Sequence, residues 1–351
     1  MRVLHIDTGL EWRGGQRQAL TLHKGLVDKN IKSLFVCNNS GEVYNLCKKN
    51  NELSFAGFKF EGELSRKTKK EIQKIVDEFK PTIIHCHDSH SAKLGSRFHK
   101  SCTIFHTRRV SYPIKLLSRY FKYKNIDAHV CVSEDIRNYM KQYFSNTFTI
   151  HSCVDIKRFD VVVVNEDNFD KDGNINIVYV GAFSHQKGVD VLIKAFSNLA
   201  KNYNDLVLHL IGGGELLQSM KNLAKSLEVD HNIVFYGARK DVENFYLNSD
   251  YVICPSISGE GSSGVIKEGM AAGKIVITSD LTANKELIDD GINGVMFKTG
   301  DNNALATVLN KVINKEIIID SQKIKDKVSL FDCSNTIEQY IALYKKISSN
   351  K

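Results

Sequence analysis

The sequence predicts an α/β protein of two domains, each a parallel β-sheet with helices on both faces. Three observations carry this expectation. Short apolar, β-branched runs alternate with amphipathic helical stretches along the chain. The alternation breaks at the polar, turn-rich "NEDNFDKDGNIN" of residues 165–176 and then restarts. The length of 351 residues is enough for two domains of ordinary size. The expected boundaries are therefore 1–164, a linker at 165–176, and 177–334, with a closing helix at 335–351.

In chain order, "MRVLHID" reads as the first strand and leads into a glycine-bearing loop. "QRQALTLHKGLVDKN" keeps Ala19, Leu20, Leu22 and Leu26 near helical period. "SLFVCN" is the next strand, and "KKEIQKIVDEFK" is an amphipathic helix stopped by Pro81. "TIIHCH", "CTIFHT" and "AHVCVS" are further strands, and "EDIRNYMKQYF" is a helix. After the break come the strands "NIVYVG", "LVLHLIG" and "NIVFYG", separated by the helices "GVDVLIKAFSNLA" and "ELLQSMKNLAKSL". The strand "DYVICPS", a loop, the helix "GVIKEGMAAG" and the strand "KIVITS" follow, and "SNTIEQYIALYKKIS" is the final helix.

Composition narrows the class. No run reaches the ~18 apolar residues of a membrane span. "MRVLHID" lacks the apolar core and cleavage site of a signal peptide. The eight cysteines (37, 47, 86, 102, 131, 153, 254 and 333) show no C-x-x-C spacing. That scatter points to reduced thiols in the cytoplasm and away from a disulfide framework or zinc knuckle. The formal charge of +8 is unevenly placed. "RRVSYPIKLLSRYFKYK" carries Arg108, Arg109, Lys115, Arg119, Lys122 and Lys124 without an acid, interleaved with Leu, Tyr and Phe. It reads equally well as a surface facing anionic lipid and as a solvated helix whose apolar side is core. Nucleic acid is not an expected partner, since no recognition motif accompanies the charge.

The densest chemistry lies in "SISGEGSSGVIKEGMAAG". The helix start at Ser262–Val265 exposes unpaired N–H groups and the positive end of the helix dipole, which suits a phosphate. Gly264 allows close approach. Glu268 lies one turn on, its side chain leaning back toward the helix start. A carboxylate there repels phosphate and suits a vicinal diol such as ribose. Glu260, in the preceding loop, reaches the other side. By itself this spacing also fits an ordinary strand–loop–helix with surface glutamates. Three further glycine loops follow strands of the same domain. "GAFSHQKG" brings Gly181 and Lys187, a point charge for a diphosphate. "LIGGGE" brings Gly212–Gly214, and "FYGARKDV" brings Ala238 and Arg239. Ligands of open parallel sheets bind outside the carboxyl ends of the strands, so the joint placement outweighs each loop alone.

In the first domain, "EWRGGQRQ" places Gly14–Gly15 in a loop after the first strand, without the G-x-G-x-x-G of a dinucleotide fold. "IIHCHDSH" invites a metal reading. Strand alternation puts His85 and His87 opposite Cys86, so the three do not converge; zinc is not expected, and the histidines are read as loop residues near the rim of the cleft. "FHTRR" ends a strand with His106, Arg108 and Arg109. "DKDG" lies in the polar linker and reads as solvated loop.

Taken together, "WRGGQRQ", "HTRR", "GAFSHQKG", "LIGGGE", "FYGARKDV" and "SGEGSSGVIKEGMAAG" make the chain resemble the retaining GT-B glycosyltransferases of family 4 (glycosyl transferases group 1). The likeness covers nearly the whole length. Glu260 and Glu268 look like the family's E-x7-E pair. The resemblance implies two Rossmann-like β/α/β domains facing across a cleft, with the terminal helix crossing back to the first. It implies a UDP-, GDP- or ADP-sugar donor as substrate, no metal or other cofactor, and a glycan or lipid-linked acceptor of cell-surface polysaccharide synthesis. Carried over by position, Glu268 holds the ribose, and Lys187 with the N–H groups of Ser263, Gly264 and Val265 holds the diphosphate. Glu260 contacts the transferred sugar, His106 its hydroxyls or the reacting centre, and Gly15 the donor phosphates. Gly181, Gly213, Ala238 and Arg239 complete the donor site. Arg108, Arg109, Arg119, Lys122 and Lys124 serve the acceptor or an inner membrane surface. Ala182 departs from the usual arginine after the first glycine, with His185 or Arg239 as candidate replacements, and Ser262 departs from a frequent aromatic. An epimerase of the same fold, or a non-catalytic nucleotide-sugar-binding protein, is the alternative.

Overall fold

The computed structural model describes residues 1–49, 53–160, 173–349 and 351. They form two compact units: Met1–Cys153 joined by Cys333–Lys351, and Val154–Asp332. The chain thus passes between units at 153/154 and 332/333, which corrects the expected boundaries of 164 and 334. Val154 belongs with the second unit because it bridges Asp332 and donates its N–H to the Phe331 carbonyl at 2.9 Å. Phe159, from the short turn Ile156–Phe159, adds to that unit's core. Of the expected linker, residues 165–172 lie outside the described residues, and with them most of "DKDG".

The first unit is built on a 7-stranded parallel sheet among the described residues. Its strands are β1 (Arg2–Asp7), β2 (Lys32–Asn38), β3 (Phe55–Phe58), β4 (Ile83–Cys86), β5 (Thr103–Arg108), β6 (Ala128–Cys131) and β7 (Thr147–Thr149). They are ordered β3-β2-β1-β4-β5-β6-β7. Both faces are covered, so the strands read as nearly continuous apolar runs. Leu4, Ile6, Ile84 and Ile104 pack toward Ile72, Val76, Ile136 and Met140 of two helices. Val3, Ile83, Phe105 and Val130 pack toward Leu22, Leu26 and the terminal helix Cys333–Ser348, through Ile337, Tyr340 and Tyr344. The terminal helix meets helix Gly14–Asp28 where Gly25 has no side chain. A Cβ there would stand 2.0 Å from Ile337 Cδ1.

The second unit has a 6-stranded parallel sheet: β8 (Ile175–Val180), β9 (Leu206–Ile211), β10 (Ile233–Gly237), β11 (Tyr251–Cys254), β12 (Ile275–Ser279) and β13 (Val295–Phe297), in the order β10-β9-β8-β11-β12-β13. Strand order reverses between β1 and β4 in the first unit and between β8 and β11 in the second. In such sheets the reversal opens a crevice at the carboxyl edge, so each unit has a defined place for a ligand.

Two glycine expectations change. Gly14 and Gly15 are not loop residues, because the helix already begins at Gly14. A Cβ on Gly15 would lie 3.3 Å from Arg109 Cδ, so its close neighbour is a side chain of the protein. Gly212 and Gly214 do not keep space for a ligand. They have φ of +140° and +147°, and Cβ atoms there would stand 1.8 Å from the Gly181 oxygen and 2.7 Å from the Phe183 oxygen. Only Gly213 between them faces open space. Gly212→Ala is therefore expected to destabilise the second unit by at least ~3 kcal/mol, from backbone strain plus the clash. Gly213→Ala should change stability by under ~1 kcal/mol. Equal thermal shifts for the two variants would contradict this division.

Candidate active site

At the β8/β11 crevice two loops bring opposite charges together. After β8, the chain makes the short turn His185–Lys187, closed by Gly188 at φ +62°. A Cβ on Gly188 would lie 2.2 Å from the Pro255 oxygen, so this turn presses on the loop after β11. Lys187 Nζ donates to Glu260 Oε1 at 2.6 Å, and Ser256 Oγ donates to the same oxygen at 2.6 Å. The Glu260 side chain is 8% exposed and that of Lys187 33%. Burial alone would lower the Lys187 pKa, but the adjacent Glu260 carboxylate more than offsets this and holds it above the ordinary value. The sequence places these two groups in separate roles, and the structure joins them in one ion pair.

Helix Gly264–Ala271 follows, with Ser263 as its first flanking residue and no side-chain cap. No atom lies within 4 Å of a Cβ on Gly264, which is exposed at the start of this helix, while Ser263 before it is buried. Glu268 is half-buried one turn along, and its Oε2 accepts from the Tyr246 hydroxyl at 3.0 Å. Tyr246 is fully buried and so orients that carboxylate. Lys267, also fully buried, donates from Nζ to Ser262 Oγ at 2.6 Å and lies 5.7 Å from the Phe331 ring centre. It ties the loop between the two glutamates to the helix. Sequence reasoning missed both residues: a tyrosine in a short helix carries no signal, and a helical lysine ordinarily faces solvent.

The other donor candidates stand along the same carboxyl edge, where the Gly213 carbonyl accepts from Phe183 N at 2.9 Å and Gly212 N donates to the Gly237 carbonyl at 2.8 Å. Gly181 and Gly213 lie beyond β8 and β9, and Ala238 is exposed beyond β10. Arg239 grips Asp241 with two donors at 2.9 and 2.8 Å, and these hydrogen bonds hold the Asp241 carboxyl down at about 2. Its guanidinium is thus committed locally, which argues against Arg239 replacing the arginine missing at Ala182.

In the first unit the β1/β4 crevice gathers charge. Asp88 accepts from Thr8 N at 2.8 Å and Thr8 Oγ1 at 3.0 Å, and caps helix Ser89–Gly95. Asp7 accepts from Gly9 N at 2.8 Å, and its pKa is raised to about 6 by burial and the nearby Asp88 charge. A depression of about 670 Å³ opens beside them, lined by Thr8, Arg13, Asn38, Lys59, Phe60 and Asp88 among others.

The histidines are not rim residues. His5, His85 and His87 are buried, with ring nitrogens within 4.8 Å of one another. Alternation does separate Cys86 from them, but β1 contributes His5 on their face. Arg109 donates to His87 Nδ1 at 3.3 Å, so His87 Nε2 carries the hydrogen toward His5 Nδ1 at 2.9 Å. His85 bonds Tyr344 at 2.5 Å and Thr107 at 2.7 Å. Those bonds and the adjacent guanidinium oppose a cation at this cluster.

His106 requires correction. It is 2% exposed within β5, 3.2 Å from His129 Nδ1 and packed on Tyr123, and so it meets no surface. The basic segment requires another. Arg108 is buried and donates to the Tyr112 carbonyl, while Arg109 turns inward to His87. Lys122 pairs with Glu63 at 2.7 Å, and Arg119 lies over the Tyr143 ring. Helix Leu116–Phe121 buries none of its residues, so its apolar side is not core. Leu116, Leu117, Tyr120 and Phe121 are each more than 60% exposed, and Lys115 and Lys124 are exposed beside them.

Two Rossmann-like units, with glycine loops after the strands and a lysine–glutamate pair beside a helix start at the switch point of the second, define a doubly wound α/β class. Residues 164–328 match the family model of glycosyl transferases group 1, and residues 12–158 that of glycosyltransferase family 4. An uncharacterized glycosyltransferase of Methanocaldococcus jannaschii is 31% identical over 203 residues, which span 56% of this chain and about half (53%) of that relative. A glycosyltransferase of Rickettsia africae superposes with a TM-score of 0.86 at 19% identity, covering 100% of this chain and 99% of the other. Anabaena HepE, solved with UDP, superposes with a TM-score of 0.85 at 17% identity, covering 99% and 100%. The chain is a glycosyltransferase of the GT-B fold.

Proposed function

We propose that the chain is a retaining transferase of family 4, moving a sugar from a nucleoside-diphosphate donor to a glycan or lipid-linked acceptor in cell-surface polysaccharide synthesis. The observation that carries this reading is the Lys187–Glu260 pair beside the helix start at the exposed Gly264. A diphosphate arriving there gains the helix N–H groups and the ammonium, and displaces Lys187 from Glu260. Negative charge grows on that diphosphate as the anomeric C–O bond breaks, so both groups bind the transition state more strongly than the ground state. Glu260, released, takes a sugar hydroxyl. Glu268, held by Tyr246, accepts from the ribose hydroxyls. HepE, a fold relative, binds UDP, which favours a uridine donor. The depression over β1 and β4 takes the acceptor, with Phe60 as an apolar platform for a sugar ring. Incubation with radiolabelled UDP-, GDP- and ADP-sugars tests the reading. Slow donor hydrolysis, abolished by Glu268→Ala, is expected. Isomerised donor, or tight nucleotide binding without any turnover, would overturn it.

The exposed patch on helix Leu116–Phe121 supports an anionic membrane as the place of work. Apolar side chains enter the interface while Lys115 and Lys124 meet headgroups. A basic depression of about 160 Å³ adjoins the helix, with Arg97 and Lys124 on its rim. Leu117→Ser with Phe121→Ser should weaken binding to phosphatidylglycerol vesicles about tenfold or more, from the apolar area removed. Unchanged co-sedimentation would remove the membrane assignment.

A further inference from the structure

Cys153 and Cys333 stand 180 positions apart in the chain, yet their Sγ atoms lie 2.7 Å apart. That is within about 0.7 Å of a disulfide bond length. The two residues also occupy the two passages of the chain between units. Cys153 ends the first segment of the first unit, and Cys333 begins the second. The backbone at Cys153 is held from both sides by Gln18, whose amide donates to its carbonyl and accepts from its N–H, each at 2.8 Å. Cys333 opens the terminal helix and is partly exposed, whereas Cys153 is buried at 8% exposure. A second neighbouring pair among the described residues behaves differently. Cys37 and Cys47 share a hydrogen bond but are 1% and 0% exposed in a core with Phe35 and Val43, out of reach of an oxidant.

We propose that Cys153 and Cys333 are a thiol pair that closes to a disulfide on exposure to a small-molecule disulfide. The accessible Cys333 thiolate attacks one sulfur of glutathione disulfide, forming a mixed disulfide and releasing one glutathione thiolate. The Cys153 thiolate then attacks the Cys333 sulfur, forming the protein disulfide and releasing the second glutathione. The two protons lost by the protein thiols go to the two glutathiones, so the oxidant is reduced as the pair is oxidised. The new bond closes a loop that contains the entire second unit and fastens the start of the terminal helix to the first. It removes freedom from the unfolded chain, and a loop this long gives a large effect.

The test uses the full chain, incubated with glutathione disulfide or with dithiothreitol, alkylated and peptide-mapped. A Cys153–Cys333 cross-link is expected after oxidation, with Cys37 and Cys47 alkylated only after denaturation. The oxidised chain should melt on the order of 5 °C higher than the reduced chain. Cys333→Ser should fold with the same far-ultraviolet circular dichroism and lose both the cross-link and the shift. A persistent glutathione adduct at Cys333, a Cys37–Cys47 cross-link in its place, or a cross-link without any melting shift would overturn the proposal.

Discussion

At pH 5 the first unit is expected to unfold while the second stays folded. Six described histidines of the first unit are buried and held neutral, with burial as the leading cause. His5, His85, His87 and His106 are pushed well below their ordinary value, His23 to about 4 and His129 to about 3. Among the described residues of the second unit, His209 alone shares this state, lowered to about 4. Each such histidine binds a proton when unfolded but not when folded. Stability is therefore fully present above the unfolded value of about 6.5 and falls as pH drops from there toward the folded pKa. At pH 5 each one removes about 2 kcal/mol relative to neutral pH. Six of them amount to on the order of 10 kcal/mol, comparable to a whole domain's stability. Asp7, raised to about 6, acts in the opposite direction, because acid relieves its buried charge. One carboxyl does not balance six imidazoles. Calorimetry between pH 7.5 and 5, with limited proteolysis to map the unfolded part, should show two separating transitions. Two units melting together with equal pH slopes would refute the account. His129→Phe, which replaces a ring packed on Phe144 at the cost of the 3.2 Å hydrogen bond to His106 Nδ1, should flatten the slope.

Lys187→Ala is expected to lower kcat about 10²- to 10³-fold, the usual loss on removing one preorganised charge that meets a developing anion. The variant also leaves Glu260 without its cation, so some stability will fall for a reason unrelated to catalysis. Lys187→Met with Glu260→Met separates the two effects. Removing both charges should return the melting temperature toward that of the parent while kcat stays low. If the double variant recovered activity along with stability, Lys187 would be a structural residue only, and the phosphate assignment would fail.

Much of the fold was legible in the sequence because its signals are local. Strand and helix periods, Pro81 as a stop and glycine loops after strands depend on residues a few positions apart. Glu268 was legible for the same reason, since one turn of helix from Gly264 fixes where its carboxylate stands, whereas Glu260 lies in the irregular loop before that helix. The short strands Phe55–Phe58, Thr147–Thr149 and Val295–Phe297 were not, because three or four residues carry too little pattern.

The sequence by itself determined the two-domain β/α architecture, the glycine loops beyond the strands' carboxyl ends, and Glu268 on a helix that starts near Gly264. Only the tertiary structure decided partners. It turned Arg109 inward to His87, sank His106 beneath the surface and joined Lys187 to Glu260. It also left Leu117 and Phe121 in solvent, and brought Cys153 to Cys333 across the chain. Each of these depends on which strand or loop lies alongside which. That order arises when the crossover connections close, and no residue's near neighbours in the chain record it.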